Sequence, residues 1–292
     1  MHVIIQQLLN GISLGGVYAL EAVGFGLIFN VLKFSNFSHS GVVAICAYFG
    51  YFLSNYFIKN FIASLLITTF FGGIVGVVIE KLIFRPIRIK GASTTLFLVN
   101  SVTAAMMVQQ FFSATWGSDY YPYPEFLKKT AFSLGNLTVS KTYTLMLAAS
   151  AITLLLLSLF LKKTKVGIAI RAASTDIWTP SLMGINIDFV ISSAFFFAGI
   201  LGGITGYLVG LTYSVDPFIG KVILKGIIAA ILGGMGSLGG GVIAGLLLGA
   251  SESLLIAEIG ASLTPIVIYS SIILLLLIRP EGIAGKRYII KA

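Results

Sequence analysis

KKTKVGIAIRAASTDIWTPSLMGINID, residues 162–188, is the longest amphipathic segment in a chain that is otherwise strongly apolar. It opens on Lys162, Lys163 and Lys165 and adds Arg171, a density of cations that keeps a loop on the cytoplasmic side of a membrane. Ser174 or Thr175 can cap a short helix, with Asp176 in its first turn against the positive end of the helix dipole. Pro180 is tolerated in the first turn of a helix but would kink a longer one, and Gly184 is a candidate stop. The segment reads either as a solvated loop or as a short docking helix between two membrane spans, where a soluble partner can push on the helices.

The sequence on both sides of it fixes the class. The chain has 292 residues, 57% of them hydrophobic and only 10% charged, where a soluble domain carries about 25%. Mean hydropathy is +1.01. Apolar runs of the length that crosses a bilayer as helix recur throughout, and the alternating pattern of a membrane β-barrel is absent. The net charge of +9 sits in short clusters beside apolar runs, as orientation signals do, so it does not indicate nucleic-acid binding. Cys46 is the only cysteine, which excludes an intramolecular disulfide and a cysteine metal site. With only His2 and His39 as histidines, no metal site is expected either. The first apolar run lacks a basic leader and is read as a retained span.

Apolar runs occupy 3–32, 42–58, 61–84, 94–112, 142–161, 189–213, 223–232, 242–257 and 263–278. Placing Lys33, the 81–90 loop, the 162–171 loop and the C-terminal tail inside accounts for 13 of the 19 Lys and Arg. The expectation is an all-α polytopic membrane protein of about eight or nine transmembrane helices. Its N-terminus lies outside, and broken or re-entrant segments recur in two pseudo-repeated halves.

Two interruptions stand out. KFSNFSHSG, residues 33–41, follows the first run, and GGMGSLGGG, residues 233–241, follows a short late one. Irregular backbone at membrane depth is tolerated only against protein or a water-filled cavity, and matched interruptions in two halves point to a transport path. Read this way, 36–40 and 233–239 approach each other across the bundle. The path then runs past Asn36, His39, Gly233, Gly234 and Gly236. The alternative is that both are ordinary short loops. Glu21 lies inside the first run, where an acid is costly. It either pairs with a polar group between helices or borders the path. Glu252 is a parallel case nearer the outer end of its span.

Four stretches, in order, carry a family resemblance: NGISLGGVYALEAVGFGLIFNVLKFSNFSHSG at 10–41, KVGIAIRAASTDIWTPSLMGINID at 165–188, ILGGMGSLGGGVIAGLLLGASESL at 231–254 and RPEGIAGK at 279–286. Together they resemble the inner-membrane permeases of branched-chain amino acid ABC transporters, of the LivH type. The departures are Asn36, Phe37, Ser38, His39 and Ser40 with Gly41 one place late, Glu21 in place of an aliphatic residue, and Trp178 and Pro180 in the middle of the second stretch. The resemblance implies one transmembrane permease domain over 1–292 with a cytoplasmic coupling segment at 162–188. Arg171, Ala172, Ser174, Asp176, Ser181 and Gly184 would face an ATPase. It also implies the bacterial inner membrane and a second homologous permease subunit. Two cytoplasmic ATPase subunits would bind the ATP, and an extracytoplasmic binding protein would deliver the solute. This chain would need no cofactor and would not be an enzyme, and it has no GxxxxGK[ST] loop of its own. Beyond membrane lipid and these subunits no partner is implied. The implied cargo is a small amino acid such as leucine, isoleucine or valine. Urea, short amides and an ATP-independent facilitator are the competing readings.

Overall fold

Runs of apolar side chain in a bilayer leave the backbone no water to bond, so each run closes its own hydrogen bonds as helix. The computed structural model describes residues 2–124, 130–134, 137–279 and 282–284. Helix α1 (His2–Leu32) is followed by α2 (His39–Phe52), which a π-helical turn (Leu53–Phe57) prolongs. Asn60 caps α3 (Phe61–Ile79) by accepting from the Ile62 and Ala63 N–H groups, which turns the chain sharply at Lys59. A second π-helical turn (Glu80–Phe84) carries α3 into α4 (Arg85–Ile89), and α5 (Thr94–Trp116) returns. Beyond it, β1 (Thr130–Leu134) and β2 (Leu137–Ser140) pair as a small antiparallel hairpin. Helix α6 (Lys141–Lys163) leads to α7 (Lys165–Thr175), α8 (Trp178–Leu182) and α9 (Ile187–Tyr213). A 3₁₀ turn (Ile219–Val222) opens α10 (Ile223–Leu232), and α11 (Leu238–Ile259) and α12 (Thr264–Ile278) follow.

Among the described residues six helices, counting α3 through α4 as one, are long and apolar enough to cross a membrane. Helices α2, α10 and α12 are shorter and supply three further traverses, in line with the eight or nine expected. Small residues let these helices approach closely. Helix α1 lies antiparallel on α11 along such a seam: a β-carbon on Gly249 would sit 2.3 Å from the Gly15 nitrogen. Helix α3 meets α9 through a second, where a β-carbon on Gly199 would lie 2.2 Å from the Gly72 carbonyl.

The two ends of the bundle differ in charge. At one, Arg85 and Arg88 donate to Asp188 at the start of α9, at 2.6 and 2.7 Å. Arg88 also lies 3.3 Å from buried Glu80, whose other oxygen accepts from Ser192. At the same end the Lys33 ammonium donates to the Ser174 carbonyl at the close of α7, and partial desolvation pulls its pKa below the usual lysine value. This is the cytoplasmic end by the distribution of cations. At the opposite end Val215 and Tyr121 exchange both backbone hydrogen bonds, and the Tyr121 hydroxyl donates to the Trp116 carbonyl.

Candidate functional site: two interrupted spans and the groove between them

The first interruption begins where Lys33 takes a left-handed conformation, φ 56°, and stops α1. The chain then runs back into the bundle without helix. Phe34 packs on Phe84 and Phe97, and Asn36 accepts from both the N–H and the hydroxyl of Ser38. The Phe37 N–H donates to the Ser101 hydroxyl of α5. Non-helical backbone is thus satisfied by protein at a depth where water is absent. Helix α2 starts part-way through the membrane and runs outward.

The second interruption is the 214–222 segment. Ser214 stops α9 at φ 71°, Val215 pairs with Tyr121, and Asp216 and Pro217 lead inward to the 3₁₀ turn that starts α10. This segment enters from the outer side, and the first enters from the cytoplasmic side. Their inner ends touch: a β-carbon on Gly220 would lie 2.2 Å from the Ser40 carbonyl oxygen. The sequence pairs 36–40 with the glycine run at 233–239, but the structure sets Gly220 against Ser40 and the glycine run against Asn30. Gly233, Gly234 and Gly236 form the tight α10–α11 turn at the cytoplasmic end, with Gly234 and Gly236 at φ 91° and 105°. Asn30 of the last turn of α1 donates to the Gly236 carbonyl. A glycine cluster resembles an opened helix in sequence, but here it lets α10 and α11 reverse with Gly233 on Gly240.

Where the two interruptions meet, a groove of about 150 Å³ opens to the side of the bundle. Phe37, Ala44, Met106, Phe218 and Leu224 form its apolar wall, and Ser40, Gln109 and Lys221 are its polar groups. Met106 and Gln109 are midway along α5, so the groove lies near the middle of the membrane. The Lys221 ammonium is held 4.2 Å over the Phe218 ring.

Behind the groove sits a buried acid–imidazole pair. Glu21 has no exposed surface, His39 is 1% exposed, and Glu21 Oε2 is 3.4 Å from His39 Nε2. The contact has ion-pair distance without the alignment of a hydrogen bond. The imidazole is slotted between α1 and α9: β-carbons on Gly24 and Gly202 would come within 3.0 and 2.9 Å of it. Gly226 of α10 packs directly on the Glu21 side chain. Glu21 and His39 therefore tie the start of α2 to α1, α9 and α10, and they do not line the groove. Toward the outer end, Glu252 accepts from the Tyr18 hydroxyl at 2.9 Å and from the Lys225 ammonium at 2.5 Å. Lys225 also donates to the Tyr18 oxygen. The second buried acid is thus neutralised by a cation on α10, as an intramembrane carboxylate requires.

Residues 7–278 match the family described as the permease component of branched-chain amino acid transport systems. The chain belongs to this permease family. It is 31% identical to the high-affinity branched-chain amino acid transport permease LivH of Escherichia coli K12, over 97% of this chain and 96% of the relative. It is 28% identical to BraD of Pseudomonas aeruginosa, again over 97% and 96%. Among solved structures it is similar to PsaBC from Streptococcus pneumoniae in complex with Fab, with a TM-score of 0.52 at 15% identity over 96% of this chain and 93% of that one. That likeness concerns the fold.

In this permease the segment expected to couple is two helices. Thr164 caps α7 by accepting from the Gly167 N–H. Gly167 lets α7 fold back on α6, since a β-carbon there would lie 2.5 Å from the Leu161 Cα. Ser174 and Thr175 close α7, and Asp176 is its C-cap, which corrects their expected place at the start of a helix. The short helix α8 begins two residues later, with Pro180 in its first turn and not at a kink, and Gly184 at φ 78° lies just beyond its end, as expected. Arg171, Ala172, Asp176, Ser181 and Gly184 are exposed, and Ser174 is half-buried. Leu182 and Met183, 89% and 78% exposed, project from the end of α8. Sequence reasoning placed these two inside the docking segment without singling them out, and it missed the 214–222 segment. Asp216, Pro217 and Gly220 together after a long apolar run were the available signal for the latter.

Proposed function

We propose that this chain is the permease subunit of an ATP-driven importer of branched-chain amino acids in a bacterial cytoplasmic membrane. The observation that carries the reading is the groove at which both interrupted spans begin. It combines mid-membrane depth, irregular backbone from both faces, an apolar wall suited to an aliphatic side chain and the Lys221 ammonium for a carboxylate. The groove opens laterally, so a second homologous permease would close it into a path between the two subunits. Asn36 shapes that path by holding the first interruption, and Glu21 and His39 support it from behind. Two cytoplasmic ATPase subunits would bind ATP and seat on α8 and the end of α7, at Ala172, Asp176, Ser181 and Gly184 but not at Arg171, which lines a groove of the bundle, and an extracytoplasmic binding protein would deliver the solute from the other side.

The test is uptake by the assembled transporter in proteoliposomes, offered leucine, isoleucine, valine, urea and acetamide. ATP-dependent uptake of the three amino acids is expected. Met106→Trp should cut it at least tenfold while subunit assembly is unchanged, because the side chain is 57% exposed and the indole would fill the groove. Uptake confined to urea or the amide would refute the substrate assignment. Uptake without ATP would refute the energy source.

A further inference from the structure

A second groove, of about 280 Å³, lies in the cytoplasmic half of the bundle where α1, α6 and α11 diverge. Its walls are Val23, Leu154, Leu157, Leu161, Leu238 and Val242, all aliphatic. Its rim carries the Lys162 ammonium, the Arg171 guanidinium and the Ser158 hydroxyl. No carboxylate lines it, and among the described residues neither cation is in an ion pair. Leu154 is two helical turns from Lys162 along α6, so the apolar part reaches about 12 Å into the membrane from the level of the cations. The other basic cluster at this end, Arg85 and Arg88, is already matched by Asp188 and Glu80.

We propose that this groove binds an anionic phospholipid of the cytoplasmic leaflet, its phosphate between Lys162 and Arg171 and one acyl chain along Leu154, Leu157 and Val242. Two unpaired cations at headgroup level above an aliphatic trough match a lipid in both charge and polarity. A soluble anion would leave the trough exposed. A protein segment would have to bring its own carboxylate to the membrane surface. The lipid bridges α6 to α7, so it steadies the helix that opens the coupling segment. Phosphatidylglycerol, with one net negative charge, is the simplest ligand of this class.

The experiment uses the full chain, purified in neutral detergent, stripped of lipid and examined by native mass spectrometry. Phosphatidylglycerol should bind roughly 30-fold more tightly than phosphatidylcholine of the same chain length, given two cations near the surface. Lys162→Gln and Arg171→Gln should each lower phosphatidylglycerol binding about fivefold and leave phosphatidylcholine unchanged. Gly239→Leu tests the trough, because a β-carbon there meets open space and the side chain would occupy the groove. It should weaken both lipids. Equal binding of the two lipids, or an unchanged preference in both charge variants, overturns the proposal. So does competition by glycerol phosphate, which would mark a soluble anion. A final arm uses the assembled transporter. Cys46 is buried, so Ser158→Cys supplies a lone accessible thiol. A crosslink from it to another subunit would show a protein in the groove and likewise overturn the assignment.

Discussion

Glu252 and Lys225 show how one residue determines the tolerance of another. An unmatched acid costs about 3 kcal/mol at the centre of a membrane helix, and Glu252, in the outer half of its span, bears part of that cost. Here the match is a lysine on α10 and the Tyr18 hydroxyl. Removing the acid alone strands the ammonium, so Glu252→Ala should lower unfolding stability by about 2 kcal/mol, less than the roughly 3–5 kcal/mol of a fully buried pair. The discount reflects the 34% exposure of the Lys225 side chain. The double variant Lys225→Met with Glu252→Leu removes both charges and should recover most of the loss. Thermal unfolding in detergent reads both, and a double variant no better than the single one would show that the pair does more than neutralise itself. That Glu21 and Glu252 need partners was legible in the sequence. Their partners were not, because His39 and Lys225 come from helices whose facing depends on the two interruptions.

At the scale of elements, α7 and α8 divide the work of the loop that joins α6 to α9. Helix α7 buries Ala169, Ile170 and Ala173 against the bundle, and α8 presents Leu182 and Met183 outward. Exposed apolar side chains in water beside a membrane mark a contact surface. Leu182→Asp together with Met183→Asp should leave the helical content unchanged and abolish ATP-driven uptake. Circular dichroism and proteoliposome transport read the two halves of that expectation, and wild-type uptake would remove α8 from coupling. The sequence made this segment conspicuous through its charge and placed the stop at Gly184 correctly, while Pro180 fitted either a first turn or a kink. It misplaced the cap, because a Ser–Thr–Asp run looks the same before a helix as after one. The glycine run at 233–241 misled for a related reason: a sequence of small residues does not say whether the backbone is opened or merely reversed.

For the whole molecule, composition alone pointed to a polytopic helical bundle, and the bias of the cations assigns its sidedness. What the sequence concealed was the inverted arrangement, in which one interrupted span enters from each side and the two meet at Ser40 and Gly220. The signal for the second was spread over Ser214, Asp216, Pro217 and Gly220, which read singly as a loop. The reciprocal hydrogen bonds of Tyr121 and Val215 fasten the loop after α5 to the strand-like entry of the second interrupted span. From Val215 only five residues lead to Gly220, too short a tether to absorb much slack. A load placed on the outer loop, such as the arrival of a solute-carrying protein, would therefore act as a pull on a short cord whose far end is the floor of the groove. Val215→Pro cuts one strand of that cord by deleting the N–H that reaches Tyr121. The expected result is an importer that still hydrolyses ATP at its idle rate but no longer speeds up when the loaded binding protein is added. Undiminished stimulation would mean that the signal crosses the membrane by another route.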